Sequence, residues 1–163
     1  MTGPTVIDIS GDDPDKCRVF TTLLHGNEPS GLIAIHRYLT EVLPQDKPMT
    51  NLRFIICSVE AATSKPLFSK RFVKGGMDIN RYFGKYCSFE CRDGQRGYCQ
   101  RASLIELAIR DVSPEMVIDL HNSSSSGPTF SVSSVVTTEA ISLTSFFYQT
   151  LILSDSYIGS IIE

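Results

Sequence analysis

Two side chains that commonly bind metal ions, His25 and Glu28, stand three positions apart near the start of the chain. The apolar run at 19–24 predicts a strand before them, and the pattern after them predicts a helix. They would therefore lie where open α/β sheets bind ligands, on the loop that leaves the carboxyl end of a strand. A third candidate ligand, His121, follows the apolar run at 116–120. Two histidines and one glutamate leave a zinc ion an open fourth position, as in catalytic zinc sites.

An H-x-x-E pair by itself is a weak signal for metal. The competing interpretation is a solvated loop histidine and a glutamate whose charge suits a helix N-terminus. The context favours a ligand pair, because Gly26 permits a tight backbone and Gly31 permits close packing at the strand-to-helix junction.

Asp119 precedes His121 by two positions. A carboxylate there can accept a hydrogen bond from the histidine ring and fix its tautomer, which metal-ligating histidines usually need. The alternative is a strand that simply ends in polar residues.

An arginine-rich loop supplies the remaining polar candidates, Asn80, Arg81 and Arg71. A guanidinium fork next to an amide suits a carboxylate ligand. Taken alone, this motif fits a surface turn with a salt bridge equally well.

The elements that must position these residues alternate between strands and helices, which predicts a layered α/β domain. We expect an edge strand at 5–9, a turn at 11–15, and strands at 18–24, 52–59, 116–120 (central) and 128–136. We expect helices from Pro29 to Pro44, around 104–112 and at 139–148, with an irregular stretch at 60–100. The sheet should be mixed but largely parallel, with helices on both faces in three layers.

The totals fit one domain over residues 1–163. Because the chain ends just after an apolar run, we expect it to be incomplete, cut before the last strands. Hydrophobic residues make up 42% and charged residues 20%, and the net charge is −3 without a dense basic run, so nucleic acid is not an expected partner. No segment predicts a membrane span or a signal peptide, which favours the cytoplasm.

Five cysteines, an odd number, fit reduced thiols better than a disulfide framework. Cys87, Cys91 and Cys99 could suggest a structural zinc, but their spacing is irregular and a fourth ligand is missing. The remaining histidine, His36, is expected on a solvated helix face.

Three motifs in this order resemble the succinylglutamate desuccinylase/aspartoacylase family, zinc-dependent amidohydrolases with a zinc-carboxypeptidase-like fold. They are His-Gly-Asn-Glu at 25–28, Asp-Ile-Asn-Arg at 78–81 and Asp-Leu-His-Asn at 119–122. The resemblance implies one zinc per chain, held by His25, Glu28 and His121. It further implies that Asn80, Arg81 and Asn122 bind substrate and that Arg71 polarises the scissile carbonyl. The implied substrate is a small N-acyl amino acid.

The family's general base, a glutamate in a later strand, has no match here, since only Glu139 and Glu163 follow His121. We therefore expect the base beyond residue 163 and weak or no turnover by this chain alone. Two alternatives stay open: a metallocarboxypeptidase acting on peptides or cell-wall fragments, and a non-catalytic α/β binding domain.

Overall fold

The structure, a computed structural model, describes residues 4–84, 96–123, 129–133, 137–146 and 150–153. The strands of these ranges are β1 (Thr5–Ile9), β2 (Asp13–Thr22), β3 (Thr50–Ile56), β4 (Met116–Leu120), β5 (Phe130–Ser133) and β6 (Thr150–Leu153). The helices are α1 (Ser30–Arg37), α2 (Val59–Thr63), α3 (Arg96–Arg110) and α4 (Thr138–Phe146). A π-helical turn at Tyr38–Val42 continues α1, and a 3₁₀ turn occupies Ile79–Arg81.

Strands β1 to β4 form a mixed sheet in the order β1-β3-β2-β4. β2 runs parallel to both β3 and β4, while β1 is antiparallel to β3. β2 is thus an inner strand that directly neighbours β4. Parallel neighbours have their carboxyl ends at the same edge of a sheet, so the loops after β2 and β4 meet there.

Helices cover both faces of this sheet, as expected for three layers. On one face, Val19 and Ile55 pack with Cys99, Ala102 and Ile105 of α3 in the main core cluster. On the other face, the ring of Tyr38 lies 5.9 Å from that of Phe54, which in turn lies 5.7 Å from Phe20. Alternate residues of β2 and β3 therefore face different helices, as the two-residue period of a strand requires.

Several predicted boundaries are wrong. The expected turn at 11–15 is partly strand, because β2 begins at Asp13 and pairs with Thr50 before a register shift up to Cys17. The buried strand expected at 52–59 ends at Ile56, and Val59 instead begins the short helix α2. Apolar content did not distinguish the end of a strand from a short buried helix.

The second half of the chain differs in three further places. Helix α3 begins at Arg96, inside the stretch expected to be irregular, and buries Cys99 and Ala102, whereas Leu104 is exposed. β4, expected to be central, lies at one edge of the four-stranded sheet, opposite β1, as far as the structure describes the chain. The apolar stretch after residue 140 is divided between α4 and the strand β6, which pairs in parallel with β5.

Within the described ranges, every helix is too short or too polar for a transmembrane span.

Candidate metal centre

The register of β2 and β4 brings the two candidate histidines together. Thr22 pairs with Leu120 at the carboxyl ends of these parallel strands. His25 lies three residues beyond Thr22 and His121 follows Leu120 directly, and their ring centroids are 5.3 Å apart. The pair expected from the sequence therefore shares one edge of the sheet.

The backbone leaves β2 through a sharp turn that is held in place by Ser58, between β3 and α2. Leu23 adopts a positive φ of 54°, which is uncommon for a residue with a branched side chain. Its carbonyl accepts a hydrogen bond from the backbone N–H of Ser58 at 2.8 Å, and the Ser58 hydroxyl donates to the carbonyl of Leu24 at 2.9 Å. These bonds fix the direction in which His25 enters the site.

Two glycines allow the close approaches on which this loop depends. A Cβ at Gly26 would lie 2.5 Å from the backbone nitrogen of Ala62 in α2. A Cβ at Gly31 would overlap Oγ1 of Thr22 and lie 2.7 Å from Cβ of Leu120. Any larger residue at 31 would push α1 away from both strands that carry the histidines.

Glu28 lies between the two imidazole rings. Its Oε1 is 2.9 Å from Nδ1 of His25, and its Oε2 is 2.7 Å from Nδ1 of His121. The carboxylate is buried, and its Oε2 also accepts the backbone N–H of Asn122 at 3.2 Å. Potential ligand atoms of the three residues all lie within 4.8 Å of one another.

The far nitrogen of each ring faces a second carboxylate. Nε2 of His25 is 2.8 Å from Oδ1 of Asp78, and Nε2 of His121 is 2.6 Å from Oδ2 of Asp119. Thr21, the register partner of Asp119, donates its hydroxyl to Oδ1 of that aspartate at 2.6 Å. Because a carboxylate occupies the Nε2 side of each ring, Nδ1 is the ring nitrogen that lies nearest Glu28 and is available to a metal ion.

The donor set fits a zinc ion. Nδ1 of His25 is buried and has no hydrogen-bond partner among the described residues, although Oε1 of Glu28 is only 2.9 Å away. A buried ring nitrogen that lacks a hydrogen-bond partner and lies beside a carboxylate oxygen is a position that a cation could fill. Two imidazole nitrogens and one carboxylate are ligands that zinc prefers in catalytic sites.

The electrostatics of the cluster also suit a cation. Burial would raise the pKa of Glu28, but contacts with His121 and His25 outweigh burial and hold this pKa well below its usual range. Burial would lower the pKa of His121, but Asp119 and Glu28 raise it to about 10. The pKa of Asp78 is lowered because hydrogen bonding to His25 and Arg71 overcomes the cost of burial. The site thus holds ionised carboxylates around two imidazoles.

Arg71, predicted to polarise a carbonyl, reaches the same cluster from the loop at 64–78. It donates to Oε1 of Glu28 at 3.1 Å and to Oδ2 of Asp78 at 3.3 Å, and its Nη2 lies 2.8 Å from Nε2 of His25. Its backbone carbonyl accepts the N–H of Gly26 at 2.9 Å. Its side chain remains 44% exposed, so the guanidinium can face both the cluster and an incoming ligand.

The other predicted binding residues are placed differently from one another. Asn80 is buried on the 3₁₀ turn, where its Oδ1 finds no partner within the described residues, and its backbone N–H donates to Oδ1 of Asp78 at 3.1 Å. Arg81 follows on the exposed side of the same turn, and none of the described carboxylates pairs with it. Asn122 uses its side-chain oxygen to accept hydrogen bonds from Ser30.

Sequence reasoning missed three residues that organise the site. Asp78 belonged to a recognised motif but received no role, and Thr21 and Ser30 were not considered. The charge of Asp78 was a usable signal. The other polar residues of its motif suit an anion, so a carboxylate among them is expected to pair with a cationic group. For Thr21 and Ser30, partners 98 and 92 positions away give no local signal.

The interpretation of Cys87, Cys91 and Cys99 is tested only in part. Cys99 is buried on the side of α3 that faces the core, among the residues that pack on the sheet. Cys87 and Cys91 lie outside the described residues, as do Glu163 and part of the Phe146–Phe147 pair. Glu139 is exposed in the first turn of α4.

Comparison with known proteins supports the resemblance read from the motifs. The family model described as "Succinylglutamate desuccinylase/Aspartoacylase catalytic domain" matches residues 20–145, a range that includes all of these site residues. Neither a curated protein nor a solved structure matches the chain. Since the matched range covers well over half of the 163 residues, the chain belongs to the succinylglutamate desuccinylase/aspartoacylase family.

Proposed function

We propose that this domain binds one zinc ion and takes part in hydrolysing the amide bond of an N-acyl amino acid. The observation that carries the proposal is the convergence of His25, Glu28 and His121, with each far ring nitrogen held by a carboxylate. Family membership supports amide hydrolysis as the reaction type.

His25, Glu28 and His121 are the proposed zinc ligands. Zinc in such a site supplies Lewis-acid chemistry, by which it activates water and polarises a carbonyl oxygen. The protein's contribution is to keep the ligand atoms deprotonated and oriented. Asp78 and Asp119 do this by accepting the Nε2 protons, which leaves both Nδ1 lone pairs on the side of Glu28.

Arg71 is proposed to stabilise the negative charge that develops on the scissile carbonyl oxygen. Its guanidinium is held at the cluster by Glu28 and Asp78, so little reorganisation is needed when charge appears. Its exposed fraction of 44% leaves part of the N–H fork available to the substrate.

Arg81 and Asn80 are proposed to bind the free carboxylate of the amino acid. A guanidinium without a protein carboxylate suits a bidentate anion, and the adjacent amide can contribute one further contact. Because Asp78 holds both Asn80 and His25, the carboxylate site and the metal centre share one anchor. The common anchor would hold the amide bond of the substrate at a fixed distance from the proposed zinc ligands.

The general base stays a prediction. Glu28, Asp78 and Asp119 each contact a histidine ring, so none is free to take a proton from water. Without a positioned acid–base group, the turnover rate should be about 10²- to 10⁴-fold lower than with one.

Substrate profiling of the zinc-loaded protein tests the proposal. N-succinyl and N-acetyl amino acids are compared with peptides that have a free carboxyl terminus, both by binding and by turnover. We expect the N-acyl amino acids to bind preferentially, and Arg81→Ala to weaken that binding about 10-fold or more while zinc content is unchanged. Arg110→Ala, at the end of α3, is the matched control. Preference for peptides would favour a carboxypeptidase, and a zinc-free native protein would favour a binding domain.

A further inference from the structure

Asn122 connects the strand that carries His121 with the helix that follows Glu28. Its Oδ1 accepts a hydrogen bond from the Ser30 hydroxyl at 2.6 Å and lies 3.3 Å from the Ser30 backbone nitrogen, which also donates to it. The backbone N–H of Asn122 donates to Oε2 of Glu28 at 3.2 Å. One residue thus contacts both neighbours of Pro29.

These bonds meet a need that the local sequence creates. The first backbone N–H groups of a helix have no partner within the helix, and a Ser, Thr, Asp or Asn at the N-cap usually supplies one. The N-cap of α1 is Pro29, which has no side-chain oxygen. Asn122 supplies that acceptor from the end of β4, 92 positions away.

We propose that Asn122 is a positioning residue for the metal centre, which caps α1 and thereby sets Glu28 at the correct distance from His121. This inference rests on the proposed zinc site. In this role the side-chain oxygen of Asn122 binds Ser30. The family resemblance had implied instead that Asn122 binds substrate.

The geometry explains why the cap should matter for the ligands. Glu28 precedes the capped residue by two positions, and Pro29 between them has a restricted φ, here −82°. A displacement of Ser30 should therefore displace Glu28 as well. His121 is the residue directly before Asn122, so the cap joins the loops that carry the second and third ligands.

Zinc affinity of a mutant series tests this role. In a competition titration with a chromophoric chelator, Asn122→Ala should weaken zinc binding about 10-fold, as for other partners that orient ligands. Ser30→Ala keeps its backbone N–H, so it should weaken binding less, by about 2- to 10-fold. The double variant should bind about as Asn122→Ala does, because both changes remove the same contact. Ser30→Thr should restore affinity, and Ser145→Ala, an exposed serine in α4, is the control.

Two readouts do not depend on zinc. In the metal-free protein, amide exchange at Ser30 should be about 10-fold faster in Asn122→Ala than in the native chain and unaltered in the control. The imidazole ¹⁵N resonances of His121 should shift in Asn122→Ala and Ser30→Ala alike, because both release Glu28. Ser30 and Asn122 are exposed, so these substitutions leave the core intact.

The outcomes separate the two proposals. Unchanged zinc affinity and unchanged His121 resonances in Asn122→Ala would overturn the positioning role. Weaker binding of an N-acetyl amino acid to zinc-loaded Asn122→Ala, with no effect of Ser30→Ala on that binding, would also overturn it, in favour of direct substrate binding. If the native protein binds no zinc, the proposed function fails, and the His121 resonances with the Ser30 exchange rate still decide whether Asn122 positions Glu28.

Discussion

Oδ1 of Asp78 lies 2.8 Å from Nε2 of His25, although 53 positions separate the two residues in the sequence. The same aspartate accepts a hydrogen bond from Arg71 and another from the backbone of Asn80. A single carboxylate thereby holds a proposed metal ligand, the proposed carbonyl-polarising arginine and the proposed carboxylate clamp.

Asp78→Asn should reduce zinc affinity by about 10- to 100-fold, the range typical of partners that orient metal ligands. The amide can no longer act as an anionic acceptor for the His25 ring, and Arg71 loses an ion pair. Chelator competition measures the change. Asp46→Asn, an exposed aspartate after α1, is the control and should bind zinc normally. Equal affinity in the two variants would exclude the role given to Asp78.

His121→Ala should abolish tight zinc binding, because only His25 and Glu28 remain as proposed ligands. Glu28 also loses its contact with His121. Metal analysis after purification without added zinc should find about one zinc per native chain and almost none in the variant. His36→Ala removes an exposed histidine from α1 and should retain the metal. Full zinc content in His121→Ala would exclude His121 as a ligand.

The metal-free protein should lose stability as the pH rises from about 6.5 to about 10. The pKa of His121 is raised from 6.5 to about 10, because Asp119 and Glu28 favour the charged ring more strongly than burial opposes it. The contribution of His121 to stability is therefore complete below pH 6.5 and lost as the pH passes the folded-state value.

Denaturant unfolding at several pH values measures this effect. His121→Ala should remove the pH dependence in that window, whereas His36→Ala should retain it. Zinc binding must displace the same proton, so zinc affinity should increase with pH over the same range. A pH-independent affinity there would contradict the assignment.

Arg53→Met should lower the free energy of unfolding by about 1.5–3 kcal/mol, the usual contribution of hydrogen bonds to a charged group. Arg53 is largely buried in β3. It donates to both oxygens of Asp8 in β1, at 2.7 and 2.8 Å, and to the carbonyl of Ala108 in α3 at 2.8 Å. It therefore ties the edge strand and the helix to the sheet. Urea titration gives the change in unfolding free energy.

Arg37→Met is the matched control for that measurement. The Arg37–Glu41 pair is 3.3 Å long and exposed on both sides, so its loss should cost less than about 1 kcal/mol. Equal destabilisation by the two variants would show that the contacts of Arg53 contribute no more than a surface pair.

Local patterns in the sequence were sufficient to identify the candidate ligand residues and to place most elements. The edge strand Thr5–Ile9, the helix after Pro29 and the strand Met116–Leu120 follow from periodicity and proline position. Boundaries were less predictable. The strand register of Asp13 and the helical state of Val59 depend on packing against neighbours that periodicity does not encode.

The sequence by itself determined which groups could bind a metal, because imidazole and carboxylate chemistry depends on residue type and the family motifs preserve their order. Only the tertiary structure decided how these groups are held. The parallel pairing of β2 with β4 places His25 beside His121, and long-range contacts assign Asp78 to His25 and Asn122 to Ser30. Such partners are chosen by strand register and loop direction, which arise from the whole core and have no signature in the neighbouring residues.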